Sequence, residues 1–371
     1  MPWGFLGMLA LVASLERLSA RAGLGDTNPH VVSWEQAGRL VSFTAPGKEL
    51  LIFGDSQLKL GLLPAVLESR TGHVGYNFAV LAGPAPVSYF LLRRALEAGA
   101  RPTRVLVDFA PVLLPLPPRQ AKSEINFRWS ALLSRRESLD LAWAARDSDL
   151  FATTELGRLV RSYRNRAELR ASIRKWIQRE RNELPLWVAA LRRNWDLNRG
   201  AELDPKNGFT DDALTSSGPL SPGHWSSHPV NMAYARRFLA LAARHGIAVT
   251  CVIPPLSPRA QARAEAAGDD ARYTEFVESL RVPFARVSVI DARHAGFAAS
   301  RFNDPSHLNQ DGALALSAGV AELLATRTRA EDERAWNSLS EGPAPLRAAY
   351  EDFSSSLIAV QKQRARTAAR R

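Results

Sequence analysis

The sequence predicts an α/β fold built on an open, parallel sheet. Three observations carry that reading. Short apolar runs ending in turn residues begin at about residue 49, each gives way to a stretch with helical periodicity, and the alternation resumes after residue 247. Strands that alternate with helices run parallel and are joined by right-handed crossovers, so helices must cover both faces of the sheet. With 371 residues, 46% of them hydrophobic, the chain has the material for that burial.

About five strands are expected, over residues 49–53, 74–78, 104–108, 248–253 and 286–290. Residues 57–68 set Leu58, Leu60, Leu62, Leu63, Val66 and Leu67 at helical spacing, and residues 86–98 do the same with Tyr89, Phe90, Leu92 and Leu96. Further helices are expected over 260–280 and over the Ala/Leu-rich 310–325. The third and fourth strands lie about 140 residues apart, far more than one crossover needs, so 115–230 is a mainly helical insertion. Helical spacing marks 132–150, 156–163, 166–181 and 184–195, whereas 198–229 has the Gly, Ser, Pro and Asp content of a long loop. An insertion at this point opens onto the carboxyl edge of the sheet, where ligands bind in such folds. It is therefore a lid, a docking surface or a structural decoration.

The chain divides accordingly into an apolar N-terminal segment (1–25), a first α/β half (26–114), the insertion (115–230), a second α/β half (231–326) and a C-terminal helix with a basic tail (327–371). Residues 3–15 form an apolar run too short to span a bilayer by itself. Export or membrane attachment, placing the protein outside the cytoplasm, is weighed there against an ordinary first helix. A net charge of +11 makes acidic polymers and membrane surfaces plausible neighbours, but no nucleic-acid-binding signature accompanies it. The single cysteine, Cys251, excludes an intramolecular disulfide and sits in an apolar run that reads as a buried strand.

The sharpest local feature is Gly54-Asp55-Ser56, where an apolar strand passes directly into a helix. A serine on such a turn projects its hydroxyl above the sheet edge, and its N–H points to where an oxyanion would form. Capping of the helix by Asp55 or Ser56 is the competing explanation. A serine hydroxyl is a poor nucleophile without a base, and the base needs a third group to fix its tautomer. Asp304-Pro305-Ser306-His307, just after the last expected strand and at the same sheet edge, supplies both from one loop.

Together these blocks resemble the SGNH, or GDSL-type, hydrolases. Gly54-Asp55-Ser56 is similar to the first block of that family, Asp304-Pro305-Ser306-His307-Leu308 to the last, and the loop from Asn77 to Gly83 to the second. The resemblance covers 49–114 and 231–326. It implies a flavodoxin-like three-layer α/β/α sandwich, Ser56 as nucleophile, His307 as base and Asp304 as its orienter. It also implies an oxyanion hole formed by the N–H groups of Ser56 and Gly83, with Asn77 as a further contributor, and it calls for no cofactor and no metal. Large insertions and N-terminal anchors are shared with proteins that add or remove O-acetyl groups on cell-surface polysaccharides, so an ester-bearing small molecule or polysaccharide is the expected substrate.

The third block of the family ends its strand with an asparagine that completes the oxyanion hole, yet here the strand runs into Val107-Asp108-Phe109. Loss of one such donor costs about a hundredfold in rate, unless Asn126 or Asn207 replaces it. Asp55, Asp108 and Trp225 are further candidates for contact with substrate; Trp225 suits sugar faces, although an aromatic in a long loop also serves to anchor it. His224 and His228 are spaced for zinc only on a helix, which Pro222 and Pro229 argue against. Two functional classes follow: an esterase or O-acyltransferase working through an acyl-serine, and a weakened relative that binds acidic polysaccharide or serves in an envelope assembly.

Overall fold

The computed structural model describes residues 3–21, 28–119, 125–180, 182–211, 225–326, 334–339 and 350–369. Its centre is one parallel sheet in the order β2-β1-β3-β4-β5-β6. The strands are β1 (Leu50–Phe53), β2 (Gly75–Asn77), β3 (Arg104–Val107), β4 (Ala248–Ile253), β5 (Val287–Asp291) and β6 (Trp336–Ser338). The first five are the expected ones within a residue or two. The sixth is an addition, pairing Trp336 with Val289 at the edge. A three-residue strand inside a polar segment has no periodicity to betray it.

Side chains alternate between two cores. Leu51, Phe53, Val105, Val107, Val249 and Cys251 enter the larger one, where Trp34, Phe90, Phe238 and Phe276 cover them. Leu50, Ile52, Leu106, Val252 and Ile290 enter the other, under Leu58, Leu316 and Val320. The period of two explains why every residue of β1 is buried and why its sequence is continuously apolar. The first face is covered by α2 (Pro29–Thr44), α5 (Ala85–Glu97), α12 (Pro229–Arg244) and α14 (Asp269–Arg281), and the second by α3 (Ser56–Gly61), α4 (Pro64–Thr71) and α15 (Gln310–Ala325). This is the three-layer α/β/α arrangement, and Cys251 lies inert within it, its thiol pushed up to about 12 by burial.

Several boundaries differ from the pattern-based expectation, each for a local reason. The helix expected over 57–68 is two, because Leu62 and Leu63 adopt extended backbone and Pro64 starts a new helix. The helix expected over 260–280 is likewise split into α13 (Pro258–Ala266) and α14 by Gly268, which sits at φ 71°. The insertion contributes α6 (Ile125–Leu132), α7 (Arg135–Ala145), α8 (Ser148–Leu159), α9 (Arg161–Arg164), α10 (Arg166–Ile177) and α11 (Leu184–Leu197). Most of the basic tail is not loose: α16 (Phe353–Ala369) packs on α11, with Arg193 of α11 gripping Glu351 through two hydrogen bonds of 2.7 and 3.0 Å just ahead of the helix.

The N-terminal segment forms α1 (Trp3–Arg21), tied down where Ser162 donates its N–H to Glu16 at 2.7 Å. Trp3, Phe5, Met8 and Leu11 are exposed on it. Among the described residues no helix is long and apolar enough to cross a membrane.

Candidate active site

The strand-to-helix turn after β1 is built around Gly54, whose φ of 139° only glycine adopts without strain. The next residue, Asp55, is the helix cap. Its carboxylate accepts the Gln57 N–H at 2.7 Å, while its own N–H is donated to Asp108 Oδ1 at 2.9 Å. Ser56 is thus the first residue of α3 and stands at the carboxyl edge of the sheet.

Across the cleft, the loop before α15 is folded by Asp304. One carboxylate oxygen accepts the N–H groups of Ser306 and His307, at 2.8 and 2.9 Å, and the other accepts His307 Nδ1–H at 2.6 Å. With Nδ1 carrying the proton, Nε2 is left as an acceptor, and the Ser56 hydroxyl lies 2.8 Å from it. The chain Ser56–His307–Asp304 is therefore contiguous. Burial works against a charged imidazole, but the hydrogen bond and charge of Asp304, together with Asp55 and Asp204, hold the His307 pKa above its ordinary 6.5. Burial also works against Asp304, and the same bond with His307 keeps its carboxyl below the usual range.

Ser56 and His307 open into a cleft of about 480 Å³. Its walls are mostly apolar and come from the connections after β2, β3 and β4: Leu81 and Ala82, then Val112 and Leu113, then Pro254 and Leu256. Polar residues enter from elsewhere: His30 from α2, Glu202 and Asp204 from the coil after α11, and Asp270 and Arg293 from α14 and the turn after β5.

The expected oxyanion hole is only partly where the resemblance put it. The Ser56 N–H begins α3 and has no acceptor among the described residues, but the Gly83 N–H is donated to Val80 O at 3.2 Å and Gly83 does not line the cleft. Its neighbour Ala82 does, at φ 52° and with no acceptor for its N–H among the described residues. Ala82 is thus the cleft-lining residue of this loop whose backbone N–H is left without an acceptor among the described residues. Asn77 is also displaced from the role. It is buried, donating to Leu58 O and Leu62 O at 2.9 and 3.0 Å and accepting the Ala79 N–H, and so ties the end of α3 to the loop after β2.

The remaining candidates divide. Asp55 borders the cleft but its carboxylate is occupied in capping, and burial raises its pKa. Asp108 lies beneath Gly54 and away from the cleft lining; burial, then the charge of Asp55, push its carboxyl well above the usual range, and its Oδ2 has no hydrogen-bond partner among the described residues. Trp225 is not a sugar platform. It is buried edge-on against Tyr273 and Phe276 and donates to Pro111 O at 2.7 Å, which anchors the loop. His228 caps α12, His224 lies outside the described residues, and no group of three metal-ligating side chains occurs among the described ones.

Of the two asparagines considered as a replacement for the missing donor, Asn207 does not fill that place, and the side chain of Asn126 lies outside the described residues. Asn207 donates to Asn303 O at 2.7 Å and is absent from the lining. His30, by contrast, lines the cleft beside Leu81 and Ala82, and burial, assisted by Arg128, drives its pKa down to about 4, so its ring is neutral. None of the described residues of α6 to α11 lines the cleft, so the insertion reaches it only through the coil at Glu202 and Asp204. His30, Glu202 and Asp204 belong to no motif, and chain order alone gave no signal for them.

No family model and no curated protein matches the chain. Its chemistry has to be read from the site itself.

Proposed function

We propose that this chain is an SGNH-type serine esterase or O-acyltransferase working through an acyl-serine. The carrying observation is the hydrogen-bond chain from Ser56 through His307 to Asp304, at 2.8 and 2.6 Å, at the floor of a largely apolar cleft. Three groups in that order are what activation of a hydroxyl requires.

In the first half-reaction, Nε2 of His307 takes the Ser56 proton as Oγ bonds to the ester carbonyl carbon. The carbonyl electrons move to oxygen, and the N–H groups of Ser56 and Ala82 are the proposed donors to the developing charge. Collapse breaks the bond to the alcohol oxygen, which leaves with the proton held on His307. In the second, His307 deprotonates water or an acceptor hydroxyl, which displaces Ser56 and releases an acid or a new ester. Asp304 stabilises the imidazolium in both halves. An ester of a cell-surface glycan is the proposed natural substrate, on the strength of the resemblance noted above.

Treatment with a fluorophosphonate probe and with p-nitrophenyl acetate tests this reading. Labelling and turnover are expected in the native protein and lost in Ser56→Ala and His307→Ala. A native protein that neither labels nor turns over the ester would overturn it.

A further inference from the structure

The cleft has an unusual charge balance for so basic a chain. Among the described lining residues the only Lys or Arg is Arg293, and its guanidinium is engaged with Asp291 at 2.6 and 3.0 Å, Asp270 at 2.8 Å and Thr274 at 2.9 Å. A carboxylate or phosphate on a substrate would find no free cation among the described lining residues.

The acidic residues of the lining are engaged too, with one exception. Asp55 caps α3, Asp304 holds His307, Asp270 pairs with Arg293, Asp269 with Arg272, and Glu202 accepts the Trp195 indole N–H at 2.8 Å. The Asp204 carboxylate has no hydrogen-bond or ion-pair partner among the described residues. It is nevertheless held firmly. Gln310 donates its N–H to Asp204 O at 2.8 Å, Asn303 Nδ2 donates to Pro205 O at 2.9 Å, and Asn207 donates its N–H to Asn303 Oδ1 at 3.1 Å. These bonds run the 204–207 coil alongside the 303–310 loop that carries Asp304 and His307. Burial, then the charge of Glu202, raises the Asp204 carboxyl to about 7, so it is ionised in mildly alkaline solution, and the residue is half-buried at the cleft wall. A half-buried carboxylate without a partner gains from a donor that a ligand brings and that displaces its remaining water.

We infer that Asp204 is a specificity-determining residue, accepting hydrogen bonds from a hydroxyl or ammonium group on the substrate alcohol, so that the preferred ester belongs to a neutral or amine-bearing sugar rather than an acidic one. This rests on the acyl-serine reading of the same cleft and names its substrate class. It runs against the sign of the whole molecule: the chain carries a net charge of +11, whereas Asp and Glu outnumber Lys and Arg among the described residues that line the cleft.

The test compares three methyl glycosides acetylated at the same hydroxyl, a glucosaminide, a glucoside and a glucuronide, at pH 8. The native protein should show kcat/KM for the first two at least about tenfold above the third, as the loss of a hydrogen bond to a charged group and the addition of like-charge repulsion predict. Asp204→Asn should shrink that ratio to within about threefold, and Asp204→Glu should keep most of it. Preference for the glucuronide, a ratio untouched by Asp204→Asn, or failure to cleave all three by a protein whose Ser56 takes the fluorophosphonate would each overturn the assignment. Absence of fluorophosphonate labelling in the native protein is a separate result, which removes the acyl-serine reading and this inference with it.

Discussion

A methyl group placed on Gly54 would lie 1.8 Å from Oδ1 of Asp108, the oxygen that receives the Asp55 N–H. Glycine is required there twice over, by its φ of 139° and by the carboxylate packed against it. Gly54→Ala should therefore cost at least about 3 kcal/mol, combining backbone strain with displacement of Asp108. Denaturant unfolding measures it, and a double-mutant cycle with Asp108→Gly should recover part of the loss. A cost below about 1 kcal/mol would show that the turn is not held as described.

Asp108 itself titrates in a direction that can be checked. Its folded-state pKa is raised, by burial and then by the Asp55 charge, so the fold prefers the protonated form. The corresponding stability is complete below the unfolded pKa near 3.8 and is lost as pH rises toward the folded value. Asp108→Asn keeps an oxygen for the Asp55 N–H and removes the titration. Its melting temperature should match the native protein at pH 4 and exceed it at pH 8; the reverse slope would sink this account.

The pH dependence of catalysis should follow His307, which must be neutral to accept the Ser56 proton. Because its pKa is held above 6.5, kcat/KM for p-nitrophenyl acetate should rise with pH through one ionisation above that value. Stability runs the other way: the protonated ring is favoured by the fold, so His307 contributes fully below 6.5 and the contribution fades as pH passes the folded value. His307→Gln should accordingly destabilise more at pH 5 than at pH 9. Asp304→Asn, which permits the wrong tautomer, should lower kcat by up to about 10⁴.

Asn77 predicts a purely structural outcome. Asn77→Ala removes the bonds to Leu58 O and Leu62 O and the acceptor for Ala79 N–H, leaving buried groups unpaired. A loss of about 2–4 kcal/mol is expected. At temperatures where the variant remains folded, Ser56 should still label with fluorophosphonate; complete loss of labelling in a folded variant would return Asn77 to the chemistry.

The layered fold was legible because β1, β3 and β4 are buried on both faces and so are written as mainly apolar runs, interrupted only by Arg104 at the start of β3 and Thr250 within β4, while α5 and α15 carry helical spacing. β6 escaped notice because three residues at an edge carry no such pattern. The split at Leu62-Leu63 was overlooked because the apolar spacing continues across it. Trp225 is open to two readings from sequence because an indole in a loop has the same signature whether it faces a sugar or, as here, Tyr273 and Phe276.

The sequence by itself determined the pieces whose chemistry is local: a Gly-Asp-Ser turn between a strand and a helix, and an Asp-x-x-His loop able to orient its own imidazole. Only the tertiary structure decided that Ser56 and His307, 251 positions apart, meet at 2.8 Å. It also decided that Ala82 rather than Gly83 lines the cleft, and that Asp204 stands there without a partner among the described residues. The physical reason is that hydrogen bonds and desolvation depend on distance in space. Periodicity and spacing report which residues share a helix or strand, and the approach of one connection to another is set by packing of the whole sheet.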